Sequence, residues 1–153
     1  MQIMKAFLGG ERSVRLEGKH YTAKGARPGP EPAHPLGLWV GAVGPRMLRL
    51  TGRLGDGWLP SVGGSYMAPE DVPANQRRID EAARKAGRDP AEIVRAANFG
   101  LGEPDAWLDA GRLARAVDDL GFEVLLLALP DEEPLEFIRR LGDVAQTVRE
   151  LVG

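Results

Sequence analysis

A short apolar run that breaks on glycine and then re-enters structure on a proline leaves a chain few choices. Residues Leu38-Trp39-Val40-Gly41-Ala42-Val43-Gly44-Pro45-Arg46-Met47-Leu48-Arg49-Leu50 are such a run. Trp39 and Val40 suit a buried strand, and Gly41 and Gly44 let the backbone turn sharply. Pro45 fits the first helical position, where its missing N–H costs nothing and its φ is already set. The first-turn N–H groups of such a helix have no partner within it, and the helix dipole adds partial positive charge there. A phosphate fits that end, with Gly41, Ala42, Val43 and Gly44 ahead of Pro45 allowing close approach and Arg46 supplying a charge-assisted bond. On spacing alone the simpler reading is a strand–helix turn without a ligand.

The same alternation recurs along the chain. Met1 to Leu8 has helical spacing and stops at Gly9-Gly10, and Ser13 to Leu16 with His20 to Thr22 predicts a hairpin turning at Glu17-Gly18-Lys19. Lys24 to Pro35 is proline-rich and predicts an extended connection. After the Trp39 strand, the helix carries Met47, Leu48, Leu50 and Leu54 as its expected buried stripe. Trp58 to Ser61 is a short strand limited by Pro60. A helix from Pro69 toward Ala86 follows, with Ile79, Ala82 and Ala83 inward. Ile93 to Leu101 predicts a third strand, and Trp107 to Leu120 its helix. Phe122 to Leu129 is the continuous apolar kind of strand expected when both faces are covered. Pro134 opens a last helix with Leu135, Ile138, Leu141, Ala145, Val148 and Val152 at three- and four-residue spacing. Strand–helix repeated four times implies parallel β/α units with right-handed crossovers.

Composition removes several classes of function. The chain of 153 residues has a formal net charge of -2 and no cysteine. The charge gives no reason to expect nucleic acid or anionic lipid as a partner. Disulfides, thiolate zinc sites and cysteine nucleophiles are excluded, and the sequence suits a reducing cytosol. No run approaches the roughly 20 apolar residues that span a bilayer, and Met1 to Phe7 lacks the features of a secretory signal, so the expected location is cytoplasmic.

Few side chains advertise chemistry. His20 sits in the hairpin and His34 in the proline-rich connection, and neither has an evident partner. Asp56, between Gly55 and Gly57, reads more simply as a turn residue bonding its own backbone than as a catalytic carboxylate. Arg77, Arg78, Arg84, Lys85 and Arg88 read as a solvated helix face balanced by Asp80 and Glu81, in preference to a phosphate track.

With the pattern assembled, the sequence resembles the luciferase-like monooxygenase superfamily, and within it the branch of oxidoreductases that use the deazaflavin F420. The resemblance rests on Glu17-Gly18-Lys19-His20-Tyr21, on the string from Leu38 through Pro60, on Ile79 to Ala83, and on Ala86 to Pro90. The tail from Gly121 to Val152 is similar in pattern. The family's fold is a (β/α)₈ barrel with its cofactor at the carboxyl ends of the strands. The resemblance implies a partial TIM barrel: a single α/β domain over residues 1–153, with four parallel β/α units plus a small N-terminal hairpin. It implies F420 or FMN as cofactor, its phosphate by the loop Gly41 to Arg46, and a small-molecule substrate. A full barrel needs about 250 residues, and the match covers only the C-terminal half of the family's pattern. No catalytic residue carries over, and Met1 falls where a barrel would already be half built.

Four parallel strands alone leave two open edges and an exposed inner face, which invite pairing. The expectation is a homo-oligomer, such as two halves closing one barrel, or pairing with a separate N-terminal-half chain. The functional alternatives are an oxidoreductase active only as a completed barrel, a non-catalytic half-barrel serving as a binding or structural subunit, and a doubly wound phosphate-binding module.

Overall fold

The computed structural model describes residues 1–63, 65–99 and 104–153. The chain opens with α1 (Gln2–Leu8), followed by an antiparallel hairpin of β1 (Val14–Glu17) and β2 (Thr22–Ala26). Beyond the extended connection come β3 (Trp39–Val40), α2 (Pro45–Leu54), β4 (Gly57–Trp58), α3 (Val72–Lys85) and β5 (Val94–Asn98). The chain finishes with α4 (Ala110–Asp118), β6 (Val124–Leu126) and α5 (Pro134–Val152). Short 3₁₀ turns at Pro69–Asp71, Pro90–Glu92 and Pro104–Trp107 precede α3, β5 and α4. The last positions of the expected third strand, 100 and 101, lie outside the described residues, as does the start of the loop after them.

β3, β4, β5 and β6 lie side by side in chain order, and every neighbouring pair is parallel. The order never reverses, so the doubly wound alternative, which needs a switch point, is overturned. Successive β/α units in this order are the segment of a barrel wall that the pattern predicts.

Most of the core lies between this sheet and the helices. Trp58, Leu48, Val72, Ile79, Ala83, Ala97, Leu113 and Phe122 belong to one buried cluster. Phe122 meets Trp58 and Phe99 with ring centroids 6.1 Å and 6.0 Å apart, the latter edge-on. Trp58 is wholly buried yet satisfied, because its indole N–H donates to the Ala42 carbonyl at 2.7 Å. Rings of this size dominate the burial energy of a small core.

Several local expectations need correction. The hairpin's second strand begins at Thr22 and runs to Ala26, so His20 and Tyr21 belong to the turn and Lys24 to Ala26 to a strand. In α2 the buried residues are Leu48, Thr51 and Gly52, while Met47 is exposed. The cause is Gly52: α3 packs so close that a Cβ there would sit 2.2 Å from the Ile79 carbonyl oxygen. That contact rotates α2 away from its most apolar face. In α5, Phe137 is buried and Leu141, Val144 and Val148 pack on the core, whereas Leu135 and Ile138 face out. β6 is not covered on both faces, since Leu126 and, beyond it, Leu129 are exposed. It is an edge strand, with β5 as its one partner among the described residues.

Candidate functional site

β3 and β4 end at Val40 and Trp58, and the segments leaving them meet at a cleft of about 670 Å³. Gly41 and Val43 line it from the first segment, Leu59, Pro60 and Ser61 from the second. Ser65, Tyr66 and Met67 line it from the loop that follows, and Asp71, Asn75 and Arg78 from the start and first turns of α3.

Backbone bonding shapes the first wall. Val40's carbonyl accepts the N–H groups of Ala42 at 3.0 Å and Leu59 at 3.1 Å, which curls the chain immediately after the strand. Ala42 is buried and its carbonyl is engaged by Trp58, so it anchors the loop from behind. A Cβ on Gly41 would stand 3.3 Å from the Leu59 carbonyl oxygen, so a larger residue there would crowd the two strand ends. Gly44 is the N-cap of α2, extended at φ -82 and ψ 147, and carries no side chain to cap the helix. Pro45 follows at the first helical position. The first backbone bond returning to the cap is Leu48 N–H to the Gly44 carbonyl at 3.0 Å. The N–H groups of Arg46 and Met47 find no acceptor among the described residues. A Cβ on Gly44 would meet nothing within 4 Å, so the space before those amides is open. Two free amides at the positive end of a helix dipole are an arrangement that can hold an anion without any charged side chain.

The opposite wall is pinned by polar contacts. The Asn75 amide donates to the Met67 sulfur at 3.1 Å and accepts from Arg78 Nη1 at 3.0 Å. Met67 is thereby buried, and Tyr66 beside it stands exposed at the rim.

The sequence-derived candidates therefore part company. Gly41 and Val43 line the cleft, Ala42, Gly44 and Pro45 build the loop and its cap, and the exposed Arg46 side chain lines a neighbouring groove between α2 and α3. His20 and His34 are exposed outside the cleft. Sequence reasoning missed Asp71 and Arg78 as cleft residues. A signal existed: Asp71, Asn75 and Arg78 are spaced i, i+4, i+7, a polar row beside the apolar Val72, Ile79 and Ala83.

Asp56 is not the self-bonded turn residue its glycine neighbours predict. It accepts from Lys5 Nζ at 2.6 Å and from the Leu38 N–H at 2.9 Å, tying α1 and the approach to β3 to the amino end of β4. Partial burial pulls its pKa upward, but the Leu38 N–H and the charges of Lys5 and Arg88 outweigh that and hold it below the usual carboxylate value. Among the described residues, no group of three or more His, Asp or Glu side chains is placed to hold a metal ion.

Comparison with known proteins agrees with this architecture. The family described as luciferase-like monooxygenase matches residues 1–102 of the 153. The chain belongs to that family. A phthiodiolone/phenolphthiodiolone dimycocerosates ketoreductase of Mycobacterium tuberculosis H37Rv is 45% identical over 64 residues, covering 42% of this chain and 16% of the relative. An F420-dependent glucose-6-phosphate dehydrogenase of Nakamurella multipartita is 33% identical over 141 residues, covering 88% of this chain and 38% of the relative. Among solved structures, an F420-dependent secondary alcohol dehydrogenase in complex with an F420–acetone adduct superposes with a TM-score of 0.54 at 19% identity. That match covers 94% of this chain and 51% of the solved one. The resemblance to the F420-dependent branch holds, and the chain spans well under half of the curated relatives' lengths. The tail, outside the family match, is carried by the structural likeness.

Proposed function

We propose that this chain, as one domain over residues 1–153, is the cofactor-phosphate half of an F420-dependent oxidoreductase. In this reading the cleft beyond β3 and β4 receives the cofactor, with its phosphate against the loop Gly41 to Arg46. The observation that carries it is the uncapped start of α2, whose free Arg46 and Met47 amides open at the carboxyl ends of parallel strands. Barrel enzymes place their chemistry at that end. A cleft of about 670 Å³ is of the size that ligand sites occupy. F420 is preferred to FMN because the Nakamurella multipartita relative is an F420-dependent dehydrogenase.

The bound cofactor would supply hydride transfer to or from a small-molecule substrate. The chain's own part is binding and orientation. The first-turn amides and Arg46 hold the anionic end, Gly41 permits close approach, and Val43 and Tyr66 present apolar surface. Proton transfer falls to the missing part of the barrel or to Asp71 and Tyr66, the titratable groups on the described cleft wall other than Arg78. Competence then depends on completion of the barrel, by a second copy or by a separate N-terminal-half chain. The exposure of both histidines away from the cleft favours a second reading, a non-catalytic half-barrel that binds the cofactor as a subunit.

The test is titration of the purified chain with F420 and, separately, FMN, followed by fluorescence. F420 binding in the micromolar range, weakened in Arg46→Ala by about 1.5–3 kcal/mol, is expected for a charge-assisted bond to phosphate. Failure of both cofactors to bind below millimolar concentration overturns the cofactor reading. An unchanged affinity in Arg46→Ala leaves the backbone amides as the anion site and removes the arginine from it.

A further inference from the structure

Each end of the parallel sheet is a strand with one neighbour among the described residues, β3 on one side and β6 on the other. The helices that follow those two strands carry apolar flanks turned outward from the sheet's own helices. In α2, Gly52 faces α3, and Leu48 and Thr51 are buried. Leu54, two residues after Gly52, lies about 200° round the helix, and Met47 and Leu50 share its side. Met47 is exposed, Leu50 and Leu54 are half-buried, and the row carries no charge.

α5 has a flank of the opposite relief. Arg140 reaches Asp105 on the α4 side, so Ile138, two residues earlier, faces away from α4. Gly142 and Ala145 continue that flank at i+4 and i+7. Ile138 is exposed, Ala145 is half-buried, and a Cβ on Gly142 would meet nothing within 4 Å. Large side chains stand along the α2 flank, and the middle of the α5 flank is open to receive them.

We propose that a second copy of this chain closes the sheet into an eight-stranded barrel, with β6 of each copy beside β3 of the other and α5 of each against α2 of the other. Helices that follow parallel strands all run the same way, so α2 of one copy and α5 of the other lie parallel. Met47 and Ile138 each fall within about the first one and a half turns of their helix, and Leu54 and Ala145 each follow seven residues later. The two flanks therefore meet in step, Met47 against Ile138 and Leu54 against Ala145. An occupant must offer a parallel strand and a fitting helix to both edges at once, and a copy does so with its own two ends. Four strands are half of the eight whose side chains just fill a barrel, so two identical contacts close after half a turn and leave no edge open. Closure also bears on the cleft. Neighbouring strands lie about 4.8 Å apart, which brings the segment leaving β6, with Leu129 and Pro130, beside the loop that leaves β3 at Gly41. That shared wall rests on the cofactor reading for what the cleft holds; the closure does not.

The chain has no cysteine, so introduced thiols report only the intended contact. A disulfide needs Cα atoms about 4.4–6.8 Å apart. Met47→Cys/Ile138→Cys, treated with oxidised glutathione, should form a dimer that dithiothreitol dissolves, at least about tenfold faster than either single variant. Leu54→Cys/Ala145→Cys should do the same, while Met47→Cys/Ala145→Cys, about 10 Å out of step, should lag with the single variants. Light scattering on the parent should give twice the 16.5 kDa of one chain and no more. A single variant that cross-links as fast as the in-step pairs, no cross-link in pairs whose circular dichroism matches the parent, a parent that stays at 16.5 kDa, or masses that grow past two copies would each overturn the proposal. F420 affinity should fall at least about tenfold in folded, unpaired Ile138→Glu. Equal affinity would overturn the shared wall. A cross-linked dimer that binds no F420 overturns the cofactor reading and leaves the closure standing.

Discussion

Asp56 joins segments that local sequence cannot connect. Its two oxygens are held by groups 51 and 18 residues away, the Lys5 ammonium and the Leu38 N–H. A Gly-Asp-Gly string looks like a turn bonded to itself because the string contains only its own neighbours; the partners arrive with the fold. The sign of the pH dependence follows from the depressed pKa. A carboxylate more acidic when folded contributes stability that is complete above its unfolded pKa near 3.8 and is lost as pH falls through the folded value. The Lys5–Asp56 pair is about one third exposed on each side, which limits its worth to about 0.5–1 kcal/mol. Asp56→Asn should therefore destabilise the chain by about that amount in denaturant melts at neutral pH. The difference should vanish in melts run well below pH 3.8. An equal deficit at both pH values would mean that the loss comes from packing and not from charge.

At the scale of elements, periodicity located the helices but not their rotation. Every expected β/α unit is present, because strand and helix periods are local properties of the chain. The phase of α2 and α5 is set by what lies opposite. Gly52 offers α3 a surface without a side chain, and the gain from close helix contact exceeds the gain from turning Met47 inward. Adding one methyl group there should test that ranking. On an open helix face Gly→Ala stabilises by about 1 kcal/mol. At Gly52 the added Cβ would lie 2.2 Å from Ile79 O and 2.9 Å from the Ala82 Cβ, so the helices must separate. Overpacking of this kind costs about 1–3 kcal/mol. Gly52→Ala should therefore be destabilising, while Gly142→Ala in α5, where a Cβ meets nothing within 4 Å, should be stabilising by about 0.5–1 kcal/mol. Thermal melts of the two variants shifting in the same direction would contradict the packing account of α2.

For the molecule as a whole, the misplaced apolar residues gather at the two edges of the parallel sheet. The two edge strands are β3 and β6, and the helices that follow them are α2 and α5. Trp39 on β3 is 41% exposed and Leu126 on β6 40%; Met47 on α2 is 42% exposed, Leu135 and Ile138 on α5 70% and 46%. The sequence thus encodes a wider apolar arc on α5 than the half-barrel buries, which is why its spacing pointed to Leu135 and Ile138 when the core took Phe137 and Val144. Apolar residues left exposed carry the same period as residues that face the core, and no pattern within one chain separates them. Exposed strand edges and apolar helix flanks at both ends of one sheet are complementary in kind, so a second copy can cover what the first leaves open. Light scattering on the purified chain should then give a mass above the 16.5 kDa monomer. Ile138→Glu, which puts a charge on the α5 flank without touching the buried cluster, should move the mass back toward the monomer while leaving the circular dichroism spectrum in place. A compact 16.5 kDa particle for the parent chain would mean that this apolar surface is not closed by self-association.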